Sequence, residues 1–361
     1  MDIGNSGLKL SILDFVHIFK ESNARESLQN TTDMVQLADR LGFNRYWFTE
    51  HHNTPTMMST SPDMLSMHAA AHTKNIRVGS GGVMLPNHSP LKVVENFTLL
   101  EGLYPGRVDL GIGRASGTDG WTMWALLRSK ELLGVNDFPE QLDNLLSFFN
   151  RNFKITHPFS NINPPGDKSM VPDMYMLGSS DGGLQVALEK GLGFVFARHL
   201  APQLAVPMLR SYKSNFKPSS YLSEPKSMLA TIVITAETEE EAKYIAGPVE
   251  LLWARMSTGS KNFTFPTPEE AKNHKYTLEE ERAKERNKER FIIGSVANVA
   301  DQLTKTAKAC LVDEIMIADF YPDQESRKRG HELLAKELGV MKKINELGKE
   351  EGEFNSNEKK T

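Results

Sequence analysis

The sequence has only one cysteine, Cys310, among its 361 residues. A single cysteine excludes an intramolecular disulfide framework and any metal site built from a cysteine cluster. It fits a reducing compartment, and we expect a cytoplasmic protein. No run of about eighteen apolar residues occurs, so no membrane span is expected. The first eight residues lack a basic segment, so a cleaved signal peptide is not expected either.

An excess of charge of one sign is also absent. The chain has 42 Lys and Arg against 46 Asp and Glu, which gives a net charge of −4. No basic stripe occurs outside the C-terminal region, which argues against nucleic acid as the main partner. Histidines are plentiful between positions 51 and 88, but neither His-x-His nor His-Glu-x-x-His is present. Metal catalysis is therefore not expected.

Apolar residues recur along the chain at spacings that alternate between those of strands and those of helices. Strands are predicted at residues 8–13, 45–48, 76–85, 108–112, 174–177, 194–197, 228–235 and 314–318. Helices are predicted at 24–42, 63–73, 90–103, 139–149, 183–190, 202–214, 296–309 and 323–338, and a further helix starts at 237–241. About eight strands that alternate with helices predict an α/β fold, a TIM (β/α)8 barrel with insertions.

Other parts of the chain are less regular. Residues 151–173 hold four prolines and are predicted to form a long loop. Residues 247–277 fit no pattern, and the charge run at 278–290 is typical of a solvated helix face. We expect one domain over residues 1–340 and a charged, flexible tail over residues 341–361.

An acid and two imidazoles follow the predicted strand at 45–48. They are Glu50, His51 and His52. Parallel α/β folds keep their chemistry at the C-terminal ends of their strands, which favours a functional site here. An ordinary solvated loop with two histidines is the alternative.

The next strand is rich in glycine. Gly81 and Gly82 lie inside it, where glycine marks a bulge or a close approach to something flat or charged. A planar ring lying against these glycines is one interpretation, and a tightly packed barrel corner is the other. His88 follows at the same strand end and is either structural or part of the site.

Two further segments suit an anion. Arg114 lies beside glycines at the end of the strand at 108–112, where it could bind a phosphate or pair with a loop acid. Gly178, Ser179 and Ser180 lead from a strand into a helix, and free N–H groups at a helix N-terminus favour phosphate. The alternative there is an ordinary N-cap. Arg107 precedes its strand, at the opposite end of a barrel, and is interpreted as structural.

With these motifs the chain resembles the bacterial luciferase-like flavin monooxygenases, and within them the mensacarcin-biosynthesis type. The matching segments are Trp47-Phe-Thr-Glu-His-His52, Val78-Gly-Ser-Gly-Gly-Val-Met-Leu-Pro-Asn-His-Ser-Pro90, Pro105-Gly-Arg-Val-Asp-Leu-Gly-Ile-Gly-Arg114 and Leu177-Gly-Ser-Ser180. Each motif is weak alone, but their order and spacing are specific. The likeness covers about residues 8–335.

The resemblance implies a TIM barrel that holds FMN at the C-terminal face of its strands. Reduced FMN would come from a separate flavin reductase and react with O₂, through a C4a-hydroperoxide, to oxygenate a small organic substrate. His51 and Glu50 are the implied catalytic residues, and a cis peptide bond is implied at Gly81-Gly82. The implied cofactor-binding residues are Gly81, Gly82, His88, Arg114, Gly178, Ser179 and Ser180.

Other functions stay open. An F420-dependent dehydrogenase on the same barrel would share the ring and phosphate sites, and a flavin-binding protein without turnover would keep the pocket. A phosphosugar barrel enzyme would use a similar serine-glycine loop but would not need His51 beside a glycine platform. Substrate contacts are expected from residues 115–139 and 247–290. The resemblance implies a homodimer through residues 61–73 and 90–103.

Overall fold

Nine parallel strands alternate with helices in residues 7–260 and 264–340, the part of the chain that the computed structural model describes. The strands are β1 Lys9–Asp14, β2 Arg45–Phe48, β3 Arg77–Met84, β4 Val108–Gly113, β5 Asp173–Gly178, β6 Gly193–Ala197, β7 Ser227–Ala236, β8 Phe291–Ser295 and β9 Glu314–Ala318. The tail predicted at 341–361 and the first six residues lie outside the described residues.

Twelve α-helices lie within the same residues. They are α1 Ala24–Leu41, α2 Pro62–Ala71, α3 Pro90–Leu103, α4 Gly120–Leu127, α5 Phe138–Asn150, α6 Asp181–Lys190, α7 Ala205–Asn215, α8 Glu239–Ser257, α9 Pro268–Asn273, α10 Leu278–Asn287, α11 Val296–Cys310 and α12 Gln324–Glu337. Short 3-10 turns occur at Leu85–Asn87, Lys168–Met170, Pro202–Leu204 and Lys288–Arg290. Within the same ranges, no helix has both the length and the apolar character needed to cross a membrane.

Eight of the strands close into a barrel. Strands β1 to β7 pair in sequence order, and β9 closes the ring between β7 and β1. The predicted eight-stranded barrel is therefore confirmed. The additional strand β8 pairs with the C-terminal half of β7. The sequence did not predict it, because only three apolar residues separate the charged run at 278–290 from Gly294.

The unassigned region at 247–277 is largely helical. Most of α8 lies there, with Pro248 buried inside the helix, and α9 follows. Proline in a helix interior removes a hydrogen bond, so the sequence pattern gave no helix signal at this point. Helix α10 carries the charge run and exposes most of its side chains, as predicted for a solvated helix face. Helix α4 was not predicted.

The ends of the first two helices follow local rules. Asn23 caps α1, where its side chain accepts a hydrogen bond from the Glu26 amide at 3.1 Å. Gly42 ends the helix in the left-handed conformation, with φ of 83°, as the sequence predicted. Pro62 is in the first turn of α2, where its missing N–H costs no hydrogen bond.

Charged side chains fill the N-terminal end of the barrel interior. Arg45 Nη1 lies 2.7 Å from Asp109 Oδ2, and Arg45 Nε lies 2.9 Å from Glu314 Oε1. The Trp47 indole N–H donates to Asp109 Oδ2 at 2.9 Å. These side chains fill the N-terminal end of the barrel, which we call the bottom end. A cavity can therefore form only at the C-terminal ends of the strands. Arg107 lies at the bottom end and donates to the carbonyls of Thr73 and Ile76, consistent with a structural role.

Candidate active site

A cavity of about 570 Å³ opens at the C-terminal side of the barrel. Each of the eight barrel strands contributes to its wall, and α8 contributes Leu252, Trp253 and Met256. The volume lies in the range of about 300–1,000 Å³ that is usual for small-molecule sites. The two regions expected to contact substrate contribute unequally, since 115–139 supplies only Ala115 and 247–290 supplies the α8 wall.

One end of the cavity is built for an anion. Arg114 lines it, and its guanidinium lies so close to Gly182 that a Cβ there would be 2.6 Å from Arg114 Nη1. Within residues 7–260 and 264–340, Arg114 has no acidic partner, so the alternative of a salt bridge to a loop acid is not seen. Helix α6 begins at the same place, and its N-cap residue Ser180 makes no side-chain cap bond. The first N–H groups of α6 are therefore free to bind an anion.

Ser179 and Ser180 add hydroxyl groups to this end, and Gly178 lines the cavity beside them. A Cβ at Gly178 would lie 3.1 Å from the Gly183 Cα, so glycine lets β5 and α6 approach closely. The segment also has the Gly-x-Ser-x-Gly spacing of a serine-hydrolase elbow. Among the described residues no histidine bonds the Ser180 hydroxyl, which leaves it free for a ligand.

A backbone shelf with an aromatic floor forms the middle of the cavity. The Gly81-Gly82 peptide bond is cis, which confirms what the resemblance implied. Gly81 faces the cavity, and a Cβ there would lie 3.2 Å from Cε3 of the fully buried Trp47. Gly82 packs against the wall, where a Cβ would lie 2.8 Å from the Gly111 carbonyl oxygen. The shelf thus offers a flat surface on one side and close barrel packing on the other.

Glu50 is the centre of a buried hydrogen-bond cluster behind the cavity. Its Oε1 accepts hydrogen bonds from His52 Nε2 at 2.9 Å and His88 Nε2 at 2.8 Å. Asn87 Nδ2 also bonds Oε1, and the Met84 amide bonds Oε2 at 2.9 Å. Burial raises the pKa of Glu50, but the hydrogen bonds from both histidines outweigh it and lower the pKa to about 2. Glu50 is therefore an anion that organises this strand end.

His51 turns the other way, into the cavity. Its Nδ1 lies 3.0 Å from Thr49 Oγ1, and its ring stacks on Phe15 with the centroids 5.5 Å apart. Burial lowers the pKa of His51, and the nearby Glu50 carboxylate raises it by less. A neutral imidazole at neutral pH, with one nitrogen held by the protein, can exchange a proton with a bound ligand.

His199, which the sequence analysis did not consider, also lines the cavity. It is buried, and burial lowers its pKa to about 4. Phe15 and Phe320 are further lining residues that were missed, whereas Trp253 lies in the region 247–290 that was expected to contact substrate. His199 follows the C-terminal end of β6, so the strand-end rule that selected His51 could have found it. Phe15 and Phe320 also follow strand ends, but a phenyl ring has no titratable group to mark it as a site residue.

The structure places most of the predicted site residues around one cavity. The lining residues among them are His51, Gly81, Arg114, Gly178, Ser179 and Ser180. The remaining three, Glu50, Gly82 and His88, lie outside the lining. His88 has its Nε2 bonded to Glu50, which gives it the structural contact expected of a lone histidine. No group of histidine, cysteine or acidic residues in residues 7–260 and 264–340 could hold a metal ion.

FMN fits this cavity by the chemistry of its donors. The unpaired Arg114 guanidinium, the open helix N-terminus and the Ser179 and Ser180 hydroxyls match a phosphate. The shelf at Gly81 and the Trp47 floor match a flat ring. His51 would then face the ring, with Glu50 and its partners holding the strand end behind it.

Comparison with known proteins gives matches over most of the chain. The family model for luciferase-like monooxygenases matches residues 8–313. A luciferase-like monooxygenase of Escherichia coli strain K12 is 34% identical over 90% of this chain and 96% of the relative. The N-acetyl-S-alkylcysteine monooxygenase of Bacillus subtilis strain 168 is 30% identical over 91% of this chain and 97% of its own length. The crystal structure of apo-MsnO8 is 31% identical, covers 92% of this chain and 99% of its own chain, and superposes with a TM-score of 0.78.

Proposed function

The chain belongs to the luciferase-like monooxygenase family, and from that premise we propose that it is an FMN-dependent monooxygenase. We infer that it uses reduced FMN and O₂ to oxygenate a small, uncharged and largely apolar organic molecule. The reduced FMN would be supplied by a separate flavin reductase.

The observation that carries the proposal is the anion site at Arg114 and α6. A guanidinium without an acidic partner beside an uncapped helix N-terminus is complementary to a doubly charged phosphate. Arg114 and α6 follow β4 and β5, the shelf at Gly81 lies on the neighbouring β3, and His51 follows β2, so these groups line one cavity in the order of the strands. A ligand with a phosphate at one end and a flat ring at the other therefore suits the whole length of the site.

The residues around the ring site would bind the flavin ring, orient it and exclude water from it. Bound reduced FMN supplies the activation of O₂. Trp47 and Gly81 would hold the flavin ring, and the apolar wall from β1, α8 and the loop after β9 would limit water near it. His51 would exchange a proton with the bound ligand through Nε2, the ring nitrogen that Thr49 does not hold.

The cavity wall also supports a substrate class. Of the described residues that line it, Arg114 alone carries a formal charge at neutral pH, and the FMN phosphate would take that charge. Phe15, Phe320, Trp253 and Met256 surround the remaining space. A carboxylate placed there would be buried without a cation, which costs several kcal/mol. We therefore expect an uncharged substrate.

The test has a binding step and a turnover step. FMN, riboflavin and F420 are each titrated into the purified protein and followed by visible absorbance. Tight binding of FMN over riboflavin supports the proposal, and exclusive binding of F420 overturns it in favour of the dehydrogenase. Reduced FMN is then supplied in air with a neutral S-alkyl thioether amide and with the matching free acid. Sulfoxide formed from the amide in preference to the acid supports the substrate class, and preference for the acid contradicts it.

We also propose that the protein is a homodimer. Helices α2 and α3 expose the apolar side chains of Met64, Leu99 and Leu103, at 71%, 59% and 56%. Neighbouring exposed apolar residues of this size are typical of an interaction surface. Light scattering should give twice the mass of the chain, and Leu99→Glu should shift it to the monomer. Leu278→Glu on the exposed face of α10 is the control and should leave the mass unchanged.

A further inference from the structure

A chain of two hydroxyl groups leads to His51 from inside the protein. Ser59 Oγ lies 2.9 Å from Thr49 Oγ1, and Thr49 Oγ1 lies 3.0 Å from His51 Nδ1. The backbone joins the same residues, since the His51 amide donates to the Ser59 carbonyl at 2.8 Å. Ser59 is fully buried and Thr49 is 3% exposed, so the surrounding protein supplies most of the contacts of these hydroxyls. The protein therefore decides which way each hydrogen points.

Only one direction of donation along the Ser59–Thr49–His51 chain gives every hydroxyl hydrogen an acceptor. Ser59 Oγ has Thr49 as its single side-chain partner among residues 7–260 and 264–340. If Ser59 donates to Thr49, then Thr49 donates to His51 Nδ1, and both hydroxyl hydrogens are bonded. If His51 Nδ1–H donates instead, Thr49 either donates to Ser59 or accepts from it, and in each case one hydroxyl hydrogen has no acceptor among residues 7–260 and 264–340. A buried donor without a partner is costly, so the first direction is favoured.

We propose that Thr49 and Ser59 are positioning residues that hold His51 as the tautomer with its proton on Nε2. The imidazole then enters the cavity as a hydrogen-bond donor, and Nδ1 is occupied as an acceptor. The use of this proton in turnover rests on the proposed function, whereas the tautomer itself belongs to the protein without any flavin.

The surroundings of His51 agree with a neutral donor. Burial lowers the pKa of His51, so the ring carries one proton at neutral pH. Among the described residues Nε2 has no protein partner, and the side chain lines the cavity. A neutral Nε2–H can give its proton to an oxygen that gains charge and then take one back. With the other tautomer, the ring could only accept a proton at that position.

The tautomer can be read by nitrogen NMR on the full-length protein labelled with 15N-histidine. Long-range proton–nitrogen correlations distinguish a protonated ring nitrogen from an unprotonated one. His51→Gln identifies the His51 signals by their loss. We expect the Nε2–H pattern for His51 in the wild type at neutral pH. A proton on Nδ1, or rapid exchange between both nitrogens, would overturn the proposal. Because the wild type is measured without flavin, this result does not depend on whether FMN is the cofactor.

Variants at Thr49 test the cause. Thr49→Val keeps the shape of the side chain but removes the donor, so we expect the single Nε2–H pattern to give way to a mixture of the two tautomers. Thr49→Ser keeps a hydroxyl and should restore it. If turnover with reduced FMN is observed, kcat should fall at least tenfold in Thr49→Val and recover in Thr49→Ser. An unchanged Nε2–H pattern in folded Thr49→Val would show that the hydroxyl chain does not set the tautomer.

Discussion

Arg114 and Gly182 meet although 67 residues separate them in the sequence. The guanidinium of Arg114 lies directly over the Gly182 position in the first turn of α6, and a Cβ there would come within 2.6 Å of Nη1 and 2.8 Å of Nη2. Glycine at 182 thus gives the arginine room to lie across the helix N-terminus. The contact joins the strand end of β4 to the strand end of β5 in one anion site.

The first prediction follows from that contact. Gly182→Ala should push the flexible end of Arg114 away from the helix and weaken FMN binding about tenfold, or about 1.4 kcal/mol. Stability to urea should stay the same or rise slightly, because alanine is the better helix former. Gly120→Ala is the control, since a Cβ at Gly120 has nothing within 4 Å. Equal FMN affinity in both variants would contradict the role of the contact.

The second prediction concerns the phosphate itself. Arg114→Ala removes a charge-assisted bond, and we expect it to weaken FMN binding by tenfold or more. Riboflavin has no phosphate, so its affinity should be the same for the wild type and the variant. Fluorescence titration of both ligands against both proteins measures the four constants. An equal loss of affinity for riboflavin would show that Arg114 acts on the ring site instead.

The third prediction separates binding from chemistry at His51. His51→Ala should bind FMN within a fewfold of the wild type, because the anion site and shelf remain. Oxygenation with supplied reduced FMN should fall by about 10² to 10⁴, the usual contribution of a positioned acid or base. Product formation per turnover of FMN is the measurement. A variant with wild-type product yield would remove His51 from the mechanism.

The fourth prediction is about stability. Glu50→Ala leaves His52 Nε2, His88 Nε2 and the Met84 amide without their buried acceptor and removes one of the two acceptors of Asn87 Nδ2. We expect the free energy of unfolding to fall by about 3–5 kcal/mol, as when one partner of a buried ion pair is removed.

Urea denaturation at neutral pH measures this change. Glu224→Ala, at an exposed glutamate, is the control and should change the free energy by less than about 0.5 kcal/mol. A Glu50→Ala variant as stable as that control would show that the cluster contributes little to the fold.

The fifth prediction is a loss of stability in mild acid. Burial lowers the pKa of His17 and of His199 from 6.5 to about 4. The folded state therefore binds fewer protons than the unfolded state between these values, so stability is complete above pH 6.5 and falls as the pH drops toward 4. Each histidine should lower the free energy of unfolding at pH 5 by on the order of 2 kcal/mol relative to its value at pH 7.

Urea midpoints at pH 7 and pH 5 test this prediction. His17→Gln and His199→Gln should each lose less stability on acidification than the wild type. His72 is exposed, and His72→Gln should keep the wild-type loss. If all three variants lose the same amount, the two buried histidines do not titrate in this range.

Much of the fold follows from local patterns in the sequence. The barrel strands were predicted because each is a short apolar run beside a turn signal, and the order of strands and helices implies parallel closure. Strand β8 and helix α4 were missed, since β8 offers only three apolar residues and α4 buries none of its side chains. The middle of α8 was missed because Pro248 interrupts its pattern.

The sequence by itself determined that Glu50, His51, Arg114 and Ser179 follow barrel strands and that Gly81 lies inside one, because the position of a residue relative to a strand is a local property. Only the tertiary structure decided which of these side chains reach the cavity. Glu50 and His51 are adjacent, yet one turns inward to His52 and His88 and the other faces the cavity. Partners distant in sequence set these directions, through hydrogen bonds and close contacts that no local pattern records.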